Sequence, residues 1–166
     1  MTKPVLRFME NNDLPRFINT HTLAQTKMAA ALMFALPGMP MLFNGQEVGS
    51  TYHPYSGKSI FTANNTIKNT DSLGLFSYYQ HLIALRKENP ALSQSNINEI
   101  QVSKSNSVVA FHRWANNKHF LIVINVNAAA AVAAIDLRQL AFNQKTRQLT
   151  DVLTNGDFLS KCMLEE

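Results

Sequence analysis

The stretch RFMENNDLPRF, Arg7–Phe17, decides how the chain is read. It opens apolar, like the end of a strand, and turns into a polar loop. Glu10, Asn11, Asn12, Asp13 and Arg16 fall close together in a chain of which only 16% of residues are charged. PVLRFME, 4–10, is a short apolar run of the kind that forms a strand buried on both faces. Downstream, HTLAQTKMAAALMFAL, 21–36, is rich in Ala, Met and Leu. It predicts a helix with Thr20 or Thr22 as N-cap and Pro37–Gly38 as its stop. MPMLFNG, 39–45, reads as a second short strand closed by Asn44–Gly45. Residues 50–70 make a long Ser/Thr/Asn-rich segment, a length that marks either a functional loop or disorder. SLGLFSYYQHLIALRKENPAL, 72–92, carries a helical apolar stripe of Leu75, Tyr78, Tyr79, Leu82, Ile83 and Leu85, ended by Asn89–Pro90. Strand, helix, strand, helix with polar loops between them predicts parallel βα units.

The texture changes after Leu92. NEIQVSKS, SVVAFHRWA, KHFLIVINVN and AAVAAIDL alternate or run apolar at short spacing, with ANNK as a turn, which is the pattern of antiparallel sheet. The tail RQLTDVLTNGDFLSKCMLEE reads as one more strand and an Asn-Gly turn. The expected fold class is therefore α/β in residues 1–92 followed by all-β in residues 93–166.

The chain has 166 residues, 46% hydrophobic, with a formal net charge of +4. That composition is globular. The basic residues are scattered; Arg86 and Lys87 are the one local pair, at a helix end where cations complement the dipole. Nothing has the footprint of a nucleic-acid surface. A single cysteine, Cys162, excludes an internal disulfide framework. The most apolar run, MAAALMFALPGMPMLF, is cut by Pro37, Gly38 and Pro40, so no membrane span is expected. MTKPVLRFMENND lacks the apolar core of a targeting segment. The compartment stays open.

Two strand ends are polar where parallel βα folds meet ligands. One gives Asn11, Asn12, Asp13 and Arg16; the other gives Asn44, Gln46 and Glu47. A carboxylate beside amides and an arginine suits a polyhydroxylated ligand, because sugar hydroxyls both donate and accept. NNDLP also reads as an Asx turn, and NGQEVG as a loop opened by Asn-Gly. His21, His53, His81, His112 and His119 have no metal-ligand spacing, and no cofactor is expected. Phe111 and Trp114 lie in a predicted strand and suit core better than a sugar-stacking platform.

These residues resemble a family. FMENNDLPRF is similar to the segment ending the seventh barrel strand of the alpha-amylase family of glycoside hydrolases, F-x-x-N-H-D followed by Arg. LPGMPMLFNGQEVG resembles that family's strand-eight stretch, G-x-P-x-x-x-x-G-x-E. FSYYQHLIALRKENPAL resembles its last barrel helix, and the strands after Leu92 its C-terminal β-sandwich. The resemblance implies a partial (β/α)8 barrel, strands seven and eight with their helices, in residues 1–92, and an incomplete antiparallel β-sandwich in residues 93–166.

The same resemblance implies roles for single residues. Asp13 corresponds to the third carboxylate, which holds sugar hydroxyls and stabilises an oxocarbenium-like transition state. Asn11, Asn12 and Arg16 correspond to substrate-binding residues, Arg16 bracing loop and subsite, and Asn12 stands where the family has His. Gly45 and Glu47 correspond to positions that shape the loop after strand eight. The resemblance implies no metal in this region, since that family's calcium sites lie upstream of it. The resemblance further implies a parent protein that cleaves or transfers alpha-glucosidic bonds of starch- or maltodextrin-type oligo- and polysaccharides with retention. The nucleophile and acid come from strands four and five of that family, so these 166 residues alone are expected to be inactive. The alternative is a non-catalytic amylase-like carbohydrate-binding or interaction module. A homodimer through the exposed barrel edge is the expected self-association.

Overall fold

A computed structural model describes residues 5–56, 71–94, 96–140 and 149–153 of the chain. Met1–Asp136 and Leu137–Glu166 are its two compact units.

In the first unit, β1 (Leu6–Arg7) runs parallel to β2 (Met39–Pro40), Leu6 opposite Met39 and Arg7 opposite Pro40. The strands expected over 4–10 and 39–45 thus shrink to two residues each. Among the described residues each of these strands has the other as its hydrogen-bonded neighbour. Met39 and Met41 donate their N–H groups to the Val5 and Arg7 carbonyls, both at 2.8 Å. Pro40, which has no N–H, falls between them with its nitrogen facing away from β1. Gly38 makes this approach: its φ is +119°, and a Cβ there would sit 2.4 Å from the Val5 carbonyl oxygen.

The connection between the two strands is α1 (Leu23–Ala35). Of the two N-cap candidates Thr22 is the one used: it accepts from the Gln25 N–H while the Gln25 side chain accepts from the Thr22 N–H. This capping box satisfies two amides that a helix start leaves without partners. Leu36, Pro37 and Gly38 follow the helix as expected.

The second helix, α2 (Leu75–Glu88), is opened by Asp71, whose carboxylate accepts from the Leu75 and Phe76 N–H groups at 2.8 and 3.1 Å. A short turn of helix, α3 (Pro90–Ser93), follows Asn89. The core lies between α1 and α2: Ala30, Met33 and Phe34 meet Leu75, Tyr79 and Leu82. The stripe read from the sequence is rotated slightly. Leu75, Tyr79 and Leu82 are buried, Ile83 is exposed, and the next buried position on that face is Arg86.

Arg86, expected as a cation complementing a helix end, and Arg113 are both buried. Arg86 donates to the carbonyls of Phe34, Leu36, Gly38 and Leu92. Arg113, wholly buried, donates to those of Ala35, Leu92, Gln94 and Asn96. A helix ends with carbonyls that lack intrahelical partners. Two guanidiniums, ten N–H donors between them, collect these groups from the end of α1 and from the segment leading into the sheet.

That sheet is antiparallel, in the order β3 (Ile97–Ile100), β4 (Val108–Ala115), β5 (Lys118–Asn125). The hairpin turns at Asn116–Asn117, with Asn116 at φ +53°, a conformation asparagine tolerates. Phe111 is buried. The strand expected over 130–137 is not formed as a ladder: Ile135 makes one isolated bridge to Val102. An Ala-rich segment offers little side-chain surface for a strand to bury.

The described residues of the second unit include a helical turn, Leu137–Gln139, followed by the buried Leu140. The Asn155–Gly156 turn and Cys162 lie outside the described residues. In those that are described, no helix is long and apolar enough to cross a membrane.

Candidate functional site

The loop that leaves β1 is rooted by an ion pair. Glu10 and Arg16 are both buried, and the Arg16 Nη1 donates to the Glu10 Oε2 at 2.9 Å. Arg16 also donates through Nε to the Tyr52 carbonyl at 2.8 Å and lies 5.0 Å over the Phe43 ring. Burial pushes the Glu10 carboxyl up from its ordinary value; the Arg16 hydrogen bond and charge and the Phe17 amide work against that rise. Arg16, expected among the ligand-contacting residues, is thus turned inward, with its guanidinium engaged by the protein.

Above this pair the loop folds as an Asx turn. The Asn11 side-chain oxygen accepts from the Asp13 and Leu14 N–H groups at 2.8 and 3.0 Å. Both readings of NNDLP therefore hold together: the turn is real, and it lifts Asn12 and Asp13 into solvent. Asn12 uses its amide nitrogen twice, donating to the Asp13 Oδ1 at 3.1 Å and to the Tyr55 hydroxyl at 2.9 Å. Its side-chain carbonyl and the second Asp13 oxygen have no partner among the described residues. The arrangement presents two acceptors and a phenol side by side.

Tyr55 was not marked by the sequence. It comes from the segment after β2, which the Arg16 bond to Tyr52 and an Asn19 bond to the Thr51 carbonyl, 3.0 Å, tie down beside the first loop. The signal that could have found it is the aromatic pair bracketing YHPY, 52–55, in an otherwise polar loop beyond a strand end.

The residues after β2 form a tight turn. Gly45 has φ +90° and Gly49 φ +66°, flanking a helical turn at Gln46–Val48. Glu47 accepts from the Gly45 N–H at 2.9 Å. Gln46 is buried and donates to the Tyr79 hydroxyl at 2.8 Å, pinning the turn to α2. Burial pushes the Tyr79 hydroxyl up to about 12. A shallow groove runs between this turn and α2, lined by Leu42, Asn44, Glu47, Phe76 and Ile83 among others. Asp13 is not among its lining residues. The structure thus gathers Asn11, Asn12 and Asp13 at one rim, and places Gly45 and Glu47 in a separate turn.

On the sheet, His112 bonds His119 at 2.9 Å and stacks against Trp114 with centroids 4.7 Å apart. Burial, then the charge of His119, lowers the His112 pKa. Among the described residues no group of three or more His, Cys, Asp or Glu could hold a metal ion.

No family model matches the chain. Individual relatives do. A cyclomaltodextrin glucanotransferase of Thermoanaerobacterium thermosulfurigenes is 26% identical over 129 residues, covering 76% of this chain and 17% of that protein. An alpha-amylase of Haloarcula japonica is 30% identical over 123 residues, covering 71% of this chain and 17% of its own length. In structure, a noncanonic maltogenic alpha-amylase from Thermotoga neapolitana superposes with TM-score 0.69 at 19% identity, over 91% of this chain and 35% of that one. These curated relatives and structure neighbours are all alpha-amylase family enzymes, and the chain is similar to the C-terminal part of such proteins. It spans roughly a fifth of the length of the curated relatives it matches.

Proposed function

We propose that these residues form the C-terminal part of a retaining enzyme acting on alpha-glucosidic bonds of starch- or maltodextrin-type glucans. In this reading residues 1–92 are the last two strand–helix units of a (β/α)8 barrel and residues 93–166 belong to an antiparallel β-sandwich. The relatives' names support the substrate class: amylases, a neopullulanase, a cyclomaltodextrinase and a cyclomaltodextrin glucanotransferase. The parallel pairing of β1 with β2, joined through α1, supports the barrel.

The observation that carries the functional reading is Asp13 on the loop leaving β1, one carboxylate oxygen held by Asn12 and the other without a partner among the described residues. A carboxylate fixed in that way accepts ring hydroxyls and tightens on them as the sugar distorts towards the transition state. Arg16 supports it from below: locked to Glu10 and the Tyr52 carbonyl, it braces both loops. Asn11 shapes the turn that presents it.

The chain alone is inactive in this reading. Retention requires a nucleophile and an acid about 5 to 5.5 Å apart. Of the carboxylates around these loops, Glu10 is buried on Arg16 and Glu47 is bonded to the Gly45 amide, leaving Asp13 by itself. Asn12 favours a second reading, a non-catalytic glucan-binding module, since an amide cannot carry the charge an imidazolium would. In the isolated chain Leu6, Phe8 and Met39 are exposed, and pairing of a second copy on them is the self-association this reading proposes for it.

The test is titration of maltotriose into ¹⁵N-labelled chain, with reducing-sugar release followed in parallel. Amide shifts centred on residues 11–14 that disappear in Asp13→Ala support the site. Shifts that persist in Asp13→Ala, or none in the wild type, overturn it. Reducing sugar released by the pure chain overturns the assignment of the missing carboxylates.

A further inference from the structure

We propose that Tyr55 is a positioning and sugar-contacting residue of this site. Its hydroxyl fixes the Asn12 amide against Asp13, and its ring offers a stacking face to a bound glucose unit. The inference rests on the reading of Asp13 as a sugar-binding carboxylate and adds the residue that sets its geometry.

Hydrogen bonding fixes the direction of each group. Asn12 Nδ2 has two hydrogens, and both are used, one on Asp13 Oδ1 at 3.1 Å and one on the Tyr55 oxygen at 2.9 Å. Flipping the amide would turn its carbonyl towards the Asp13 carboxylate, acceptor against acceptor, so the two bonds define one orientation. The Tyr55 oxygen accepts from Asn12, and its own O–H has no acceptor among the described residues, so it can donate to a ligand. A ligand meeting this rim finds a carboxylate acceptor, an amide carbonyl acceptor and a phenol donor in a row. Vicinal hydroxyls of a pyranose, each both donor and acceptor, match that sequence; a simple anion or an apolar ligand does not.

The ring adds the second half. Tyr55 is 71% exposed, high for an aromatic side chain whose hydroxyl is already bonded. It is nevertheless held in place. Its backbone N–H donates to the His53 Nδ1 at 3.2 Å, and the two rings lie 5.4 Å apart, tilted. Below it, the Tyr52 carbonyl is clamped by Arg16. An exposed, oriented aromatic face next to a hydroxyl-binding carboxylate is what an apolar sugar face stacks against. Asn12 alone, a short neutral amide, would be free to rotate; Tyr55 restores a defined direction at that position.

The experiment uses the 166-residue chain and maltotriose. Tyr55→Phe keeps the ring and removes the hydroxyl; Tyr55→Ala removes both. Tyr55→Phe should weaken maltotriose binding about fivefold, the range of one lost hydrogen bond. Tyr55→Ala should weaken it about thirtyfold, since the stacking surface goes as well. The Asn12 side-chain amide resonances give a readout that general loosening would not mimic. They should shift in Tyr55→Phe without ligand, while the amides of β3–β5 keep their positions. If Asp13→Ala abolishes binding but both Tyr55 variants bind as the wild type does, the role of Tyr55 is refuted and the Asp13 reading stands. If Asp13→Ala also binds normally, or the wild type shows no binding, both fall.

Discussion

Replacing Arg113 with Met removes a buried cation but keeps most of its volume, and the cost can be worked from its bonds. Arg113 donates to four carbonyls, those of Ala35, Leu92, Gln94 and Asn96. Hydrogen bonds from a charged donor contribute about 1.5–3 kcal/mol each, a gross of about 6–12 kcal/mol. Three effects reduce this. Desolvating the guanidinium costs several kcal/mol, which Met does not incur. Gln94 and Asn96 are exposed, so water replaces their lost partner. The Leu92 carbonyl keeps Arg86. Burial lowers the Arg113 pKa, and repulsion from Arg86 and Arg7 lowers it further, so removing the cation relieves that repulsion too. The remaining loss centres on the Ala35 carbonyl at the end of α1, and about 3 kcal/mol of destabilisation is expected. With a urea m-value of about 2 kcal/mol/M, the midpoint should fall by about 1.5 M. The chain's single tryptophan, Trp114, is the next residue along β4 and reports on the sheet; circular dichroism in the far ultraviolet reports on α1 and α2. In the variant the Trp114 transition should move to lower urea than the helical one, because the clamp between them is gone. A midpoint shift of less than about 0.3 M, or two transitions that move together, would refute the claim that Arg113 ties the sheet to α1.

Three further outcomes are expected. Glu10→Ala leaves the buried Arg16 guanidinium without its carboxylate and should cost about 3–5 kcal/mol, whereas Glu10→Gln, which keeps an acceptor, should cost less; thermal unfolding of the two variants decides it, and equal losses would count against the ion pair. Gly38→Ala forces a Cβ to within 2.4 Å of the Val5 carbonyl oxygen at φ +119° and should cost about 2–4 kcal/mol in urea unfolding, with less than about 1 kcal/mol ruling out the clash. Tyr79, with its hydroxyl pushed up to about 12 against 10.0 unfolded, keeps its proton in the folded state after the unfolded chain has lost it. Its contribution is whole below pH 10 and is lost as pH rises from 10 to 12, at up to about 1.4 kcal/mol per unit. The stability difference between wild type and Tyr79→Phe, measured at about pH 8, 10 and 11, should narrow in that window; a constant difference would contradict it.

What the sequence disclosed was what its neighbours along the chain decide. Thr22 and Gln25 are three residues apart, so the capping box that starts α1 is a local event. The same holds for the Asn11 turn, for Asn116 in the hairpin, and for the alternation in β4 and β5. Strand length was not local: β1 and β2 stop after two residues because pairing is set by what lies beside them. The AAVAAIDL run failed for a related reason, since alternation without side-chain bulk gives a partner strand nothing to pack on. Arg86 and Arg113 were illegible because their acceptors are backbone carbonyls, which every residue has and no spacing marks. At the rim, Asp13 and Asn12 stood out as a polar cluster at a strand end. Tyr55 did not, since its meeting with Asn12 spans 43 positions and depends on Arg16 fastening one loop to the other.

Pro40 has a bearing on how this molecule behaves in company. Among the described residues no strand pairs with the outer side of β2, and an unpaired side of that kind recruits other strands. At its middle, however, there is a carbonyl to accept and no hydrogen to give. A foreign strand docking there forfeits one rung at the centre of a very short ladder, where a single rung is a large share of the total. Proline at this place therefore weakens any strand pairing on that side of the isolated 166-residue chain, and Pro40→Ala should make that chain associate more readily even where its own fold is no less stable.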